Sequence, residues 1–255
     1  MRIVVRGRGP ALVMLHGWAM HGGIFEPLSA RLEKHFTLHL VDLPGHGLSA
    51  DSDIALELPA IAAHVAAHTP PALWLGWSLG GLVALQAALQ CPDAVRGLVM
   101  LCSSPRFVRS ADWPQGMDGR VFLGFADELA KDYRQTIDRF LQLEAQGSDH
   151  MRDEIRLLRE QVFAHGEPSP QRLREGLLLL RDTDLRAELP NLSAPSLWIA
   201  GRRDRLVSPP SMQVSAARVR DANYLRIEHG GHAPFLTHAD DVADAITKFS
   251  DALPA

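Results

Sequence analysis

Cysteine is nearly absent. The 255-residue chain carries only Cys91 and Cys102, each inside an apolar segment. That argues against a disulfide framework and for two reduced, buried thiols in a cytosolic protein. An excess of charge of one sign is also lacking. The formal net charge is −4, which gives no global attraction to nucleic acid or to an anionic membrane, although a local basic patch remains compatible with it. No uncharged apolar run is long enough to span a bilayer. The opening "MRIVVRGRGPALVMLHG" passes straight into strand-like sequence, without the basic stretch, apolar run and small-residue cleavage site of a secretory signal. Internal repeats and low-complexity tracts are missing too. With 46% hydrophobic and 22% charged residues, the chain suits one large domain, with or without an insertion.

What is present is an alternation. Runs rich in Val, Ile and Leu recur as "RIVV", "ALVMLHG", "FTLHLVDL", "ALWLGW", "RGLVMLC", "SLWIAG" and "NYLRIE". Several are apolar on consecutive positions, as strands buried on both faces should be. Helix-length segments separate most of them, among them "PLSARLEKHF", "LELPAIAAHVAAHT", "LGGLVALQAALQ" and "PSMQVSAARVR". The expectation is an α/β fold with a mainly parallel sheet flanked by helices. The alternation breaks over residues 106–190, where the pattern is charged and helical. Residues 1–105 and 191–255 are therefore expected to form the sheet-bearing core, and 106–190 a helical cap inserted between two strands.

Within "LWLGWSLGGLVALQAAL", Ser78 stands at a strand-to-helix join in the pattern G-x-S-x-G, formed by Gly76 and Gly80. A serine on so sharp a turn adopts strained backbone angles, and flanking glycines remove side chains that would clash. The hydroxyl then projects above the sheet edge, beside the free N–H groups of a helix N-terminus. The plain alternative is a serine capping a helix in a glycine-rich turn.

A serine hydroxyl is a poor nucleophile at neutral pH. It needs a base, and the base needs an orienting acid. Asp204 follows the strand "SLWIAG" and His232 follows "NYLRIE", which gives the chain order Ser, Asp, His. His229 lies too close to the strand end and His238 at the start of the final helix. A zinc site built from His229, His232 and His238 has no supporting spacing. The oxyanion donors expected are the N–H of Leu79, next after the nucleophile, and that of Trp18 in "ALVMLHGW". His16 in the same loop reads as a turn-shaping residue.

These motifs together resemble the α/β-hydrolase family: "HGW", "VDLPGHGLSA", "GWSLGG", "GRRDRLV" and "GGHAPF" match along the whole chain. "FTLHLVDLPGHGLS", "LWLGWSLGGLVA" and "TIDRFLQLEAQGSD" look closest to its carboxylesterases of biotin synthesis, which remove the methyl ester of pimeloyl-acyl-carrier protein. The resemblance implies a triad of Ser78, Asp204 and His232. It implies substrate contacts at Trp18, Ser78, Leu79, Phe140, Leu141, Gln142, Leu143, Glu144 and His232. It also implies contacts of Arg139, Arg152 and Arg156 with an acidic acyl carrier protein. One further basic position of that pattern is Gln135 here, with Arg134 beside it. Spacing alone leaves open whether Arg152, Arg156 and Arg159 steer a partner or form a solvated helix face.

The expectation is thus a monomeric, cytoplasmic serine esterase that needs no metal or organic cofactor and binds neither nucleic acid nor membrane. A carbon–carbon bond hydrolase using the same triad, another small-ester hydrolase, and a ligand-binding receptor on a hydrolase scaffold are the competing readings.

Overall fold

All seven apolar runs form strands in the computed structural model, which describes residues 1–253. They are β1 (Ile3–Gly7), β2 (Ala11–Leu15), β3 (Thr37–Val41), β4 (Ala72–Trp77), β5 (Val95–Leu101), β6 (Ser196–Gly201) and β7 (Ala222–Ile227). They make one sheet in the order β1-β3-β2-β4-β5-β6-β7. Only β1 runs antiparallel to its neighbour, β3. Burial explains the composition of the runs. β4 and β6 are buried at every position, because helices cover both faces of the sheet. The edge strands β1 and β7 are partly exposed, and their sequences are correspondingly mixed.

Helix α1 (Glu26–Leu32) packs with the last helix, α10 (Ala239–Asp251), while α2 (Leu58–His68) packs with α3 (Leu79–Gln90). The chain runs outward from β2 to β3, then returns past β2 to β4. The loops after β2 and β4 therefore leave a crevice at the carboxyl ends of the two strands, where open α/β sheets place their ligands. Trp18 and Ser78 lie on those two loops.

Between β5 and β6 the chain leaves the sheet and forms the cap: α4 (Gly119–Glu128), α5 (Tyr133–Ala145), α6 (Met151–Val162) and α7 (Pro170–Asp182). The stretch 122–146 reads as one helical pattern but is two helices. Asp132 divides them, its carboxylate accepting the Gln135 N–H at 3.0 Å as the N-cap of α5. The cap is pinned to the sheet edge. The Trp18 indole donates to Leu173 O in α7 (2.7 Å), and His21 Nε2 donates to Gln161 O in α6 (2.8 Å). The chain closes through α8 (Pro209–Ala216), the short α9 (Pro234–Thr237) and α10.

Both cysteines are free. Cys102 is buried as expected. Cys91 is only half-buried, because it caps the surface end of α3 rather than continuing its apolar face. Among the described residues, no helix is long and apolar enough to cross a membrane.

Candidate active site

The elbow begins with Ser78, whose φ of 53° and ψ of −118° lie far from the usual regions for a residue with a side chain. Its neighbours explain how such a conformation is held. A Cβ on Gly80 would come within 2.2 Å of Leu15 O, and one on Gly76 within 2.3 Å of Gly80 O. Strand, turn and helix thus approach more closely than any other residue type allows. Ser103, just beyond β5, donates its hydroxyl to Ser78 O at 2.6 Å and fixes the turn from the side.

The two other triad candidates meet here. His232 Nδ1 and Asp204 Oδ2 are 2.7 Å apart, with both side chains fully buried. The second Asp204 oxygen accepts the N–H groups of Leu206 and Val207, each at 2.8 Å. The carboxylate is therefore saturated and orients the imidazole, so that Nδ1 carries the hydrogen and Nε2 is free to accept one. Burial disfavours charge on His232, but Asp204, with Glu144 and Glu154 farther off, outweighs it and raises the imidazole above its ordinary value. Ser78 Oγ and His232 Nε2 are both buried with no hydrogen-bond partner, a pair of groups whose bond tightens when substrate binds.

The expected oxyanion donors flank the serine. Leu79 is the first residue of α3, so its N–H has no carbonyl within the helix. Gly17 lies against the elbow: a Cβ placed on it would be 3.3 Å from Ser78 Cβ. This brings the loop carrying Trp18 beside the nucleophile. His16 shapes that loop. Its Nδ1–H donates to Gly17 O (2.7 Å) while Nε2 accepts the Leu43 N–H (2.9 Å), and burial holds its pKa well below the usual value. Asp42 of the D-x-P-G-x-G-x-S turn braces the next loop, accepting from Gly22 N (2.6 Å) and Leu48 N (2.8 Å).

Residues 12–245 match the model of the alpha/beta hydrolase family. The chain belongs to that family. A pimeloyl-[acyl-carrier protein] methyl ester esterase from Xanthomonas oryzae pv. oryzae is 56% identical over 254 residues, covering 100% of both chains. One from Stenotrophomonas maltophilia is 56% identical over 253 residues, 99% of this chain and 97% of the relative. An esterase structure from Exiguobacterium antarcticum aligns with a TM-score of 0.84 at 21% identity, covering 98% of this chain and 94% of that one. An enol-lactonase structure from Burkholderia xenovorans gives 0.85 at 18%, covering 98% and 96%. At those identities the two structures speak for the fold alone.

In this hydrolase the cap closes over the elbow. The Trp18 and Phe140 rings lie 4.4 Å apart, and Trp18, Leu79, Phe140 and Leu141 are all inaccessible to solvent. Glu144, one turn beyond Phe140 on α5, is buried with both carboxyl oxygens unpartnered. The helical period separates the five expected cap contacts. Gln142 and Leu143 do not share the inner face. They line an outer groove of about 740 Å³ between α5 and α6, together with Gln146, Met151, Arg152, Ile155 and Arg159.

The remaining candidates disperse. His229 is largely exposed and meets Asp149 at 3.2 Å, and His238 precedes α10 with its ring against Thr237. Among the described residues, no three His, Cys, Asp or Glu side chains converge as a metal site would require. Arg139 pairs with Glu128 (2.7 Å), and Arg156 with Glu160 (3.2 Å) and Asp153 (3.7 Å). Arg159 pairs with Asp138, whereas Arg152 has no carboxylate partner. Gln135 and Arg134 sit in the first turn of α5, where Arg134 pairs with Glu167.

Sequence reasoning missed three supporting groups. Ser103 is one. Trp77 is another: its indole donates to His232 O at 2.8 Å. The third is Glu154, reaching from α6 to accept from Ser148 (2.7 Å) and Thr237 (3.2 Å) near the base. Trp77 lies inside the nucleophile motif, so the pattern marks its position but not its bond. Nothing in the sequence marks the other two.

Proposed function

We propose that this hydrolase is a serine carboxylesterase that cleaves the methyl ester of pimeloyl-acyl-carrier protein in biotin synthesis. The observation that carries the reading is a left-handed Ser78 set above a buried His232–Asp204 hydrogen bond, in a chain that aligns end to end with relatives named for that reaction.

His232 Nε2 takes the Ser78 proton as Oγ attacks the ester carbonyl. The N–H groups of Trp18 and Leu79 hold the resulting oxyanion. His232 returns the proton to the departing methoxide, and methanol leaves an acyl-enzyme. A water deprotonated by His232 then attacks the acyl carbon, and collapse of the second oxyanion frees Ser78 and the acid. Asp204 keeps the imidazole aligned throughout. Every step uses groups of the chain itself.

Phe140, Leu141 and Trp18 supply the apolar wall for the acyl chain, and Glu144 lies beside the base. Residues 106–190 act as the cap over a core of 1–105 and 191–255. Because Ser78 and His232 are wholly buried, the cap opens to admit substrate. The carrier docks on the outer cap face, where Arg152 offers an unpaired charge above the groove containing Gln142 and Leu143, and where Arg139 and Arg156 exchange their internal partners for the carrier's carboxylates. The enzyme works as a cytoplasmic monomer.

The test is an assay of the purified protein on pimeloyl-carrier methyl ester, with Ser78→Ala as control and the free acid detected by mass. Release of the acid by the parent and not by the variant is expected. An inactive parent would overturn the assignment.

A further inference from the structure

Glu144 presents an unusual arrangement. It is 1% exposed, and neither carboxyl oxygen has a hydrogen-bond partner. Buried polar groups are ordinarily satisfied, and one left open by the protein calls for an explanation. The titratable groups that face it come from three other elements: His232 after β7, Asp204 after β6 and Glu154 on α6. Among the described residues, no lysine or arginine is buried, so no fixed cation neutralises it. Burial pushes the carboxyl up to about 8, with His232 opposing and the carboxylates of Asp204 and Glu154 adding. At neutral pH the group is a carboxylic acid.

The protonation state decides what Glu144 can recognise. A carboxylic acid has one O–H donor, whereas a carboxylate only accepts. An ester head group offers acceptors alone, its carbonyl and alkoxy oxygens. The acid form complements an ester and the ionised form does not. Ser78 Oγ and His232 Nε2, the reacting atoms of the proposed mechanism, are buried and unpartnered as Glu144 is.

We propose that Glu144 is a substrate-positioning residue that donates its carboxyl hydrogen to an oxygen of the bound ester head group. The proposal rests on the esterase reading above. Trp18 N–H, Leu79 N–H and Glu144 O–H then surround a small neutral head group with donors. Ionisation of Glu144 removes one donor and places a negative charge beside the ester.

The test is kcat/KM between pH 6 and 10 on a short soluble methyl ester, for the parent, Glu144→Gln and Glu144→Leu. The parent loses activity roughly tenfold per pH unit above a midpoint near 8. The Gln variant has an N–H donor that cannot ionise, so its alkaline limb is absent whatever its absolute rate. The Leu variant has no donor, and at pH 7 its KM rises about tenfold while kcat moves less. Persistence of the limb in the Gln variant, or a parental KM in the Leu variant, would overturn the proposal. Binding of the same ester to the inactive Ser78→Ala protein gives a second reading that needs no turnover. Affinity falls about tenfold between pH 7 and 9, and adding Glu144→Gln abolishes that dependence. If the fall is observed while the parent hydrolyses no ester, the esterase reading fails and the donor role of Glu144 stands. Affinity independent of pH would overturn the donor role itself.

Discussion

On the sheet side of the site, Asp204 accepts three hydrogen bonds and Asp42 is held from two directions by backbone N–H groups. Across the enclosure, in the cap, Glu144 is buried as deeply and accepts none. The two regions use the same kind of side chain for opposite ends. Where a geometry must be fixed before substrate arrives, every lone pair is committed. Where a ligand is to be recognised, bonding capacity is left open, at a desolvation cost that the fold tolerates. Catalytic alignment belongs to the sheet and selectivity to the cap.

The sharpest way to break this division is to attack the sheet side. Ser78→Ala should lower ester hydrolysis by about 10⁴-fold or more without unfolding the protein, read as kcat/KM alongside a melting curve. Asp204→Asn and His232→Ala should each fall by about 10³-fold or more. His229→Ala and His238→Ala should stay within a few-fold of the parent. A dead His229 variant would move the base off His232.

Reversal of the cap's surface charge comes next in size. Replacing Arg139, Arg152 and Arg156 by Glu should reduce kcat/KM on the carrier-bound ester about 10- to 100-fold, and on a small ester far less. Rim charges act mainly through association, so the parent's advantage should shrink as salt is raised. Equal losses on both substrates would mean that the arginines support the cap through Glu128, Asp153 and Glu160.

Smaller effects follow from titration. The acidic limb of kcat/KM should have its midpoint above the ordinary imidazole value of 6.5, since the base must be neutral and its pKa is raised. Glu144→Gln removes one source of that rise and should move the limb to lower pH. The same variant should be the more stable protein. A carboxyl whose pKa climbs from 4.5 to about 8 on folding binds more protons in the folded state, so its contribution to stability falls as pH rises across that window. The melting temperature of Glu144→Gln should exceed the parent's by a few degrees at pH 8 and by less at pH 5.

The sequence made the sheet legible because central strands must be apolar at every position, as in β4 and β6. The order of Ser78, Asp204 and His232 was legible because each follows its own strand directly. The cap was harder to read. Its amphipathic period runs through residues 122–146 without marking the break at Asp132, a capping residue that also suits a surface turn. Gln142 and Leu143 were grouped with Phe140, Leu141 and Glu144 by resemblance, and only the helix rotation separates them. The open valence of Glu144 was invisible, since it depends on what four distant segments leave unfilled.

Trp77 ties these parts together mechanically. It precedes the nucleophile, its ring packs against Gly17 of the oxyanion loop, and its indole carries the backbone of the base. Nucleophile, oxyanion donor and base thus share one mount. Any displacement of β4 moves all three in common, and chemistry responds only to their differences. Breathing of the sheet therefore cancels at the reacting atoms, and a substitution deep beneath β4 can shift the whole assembly while its alignment survives.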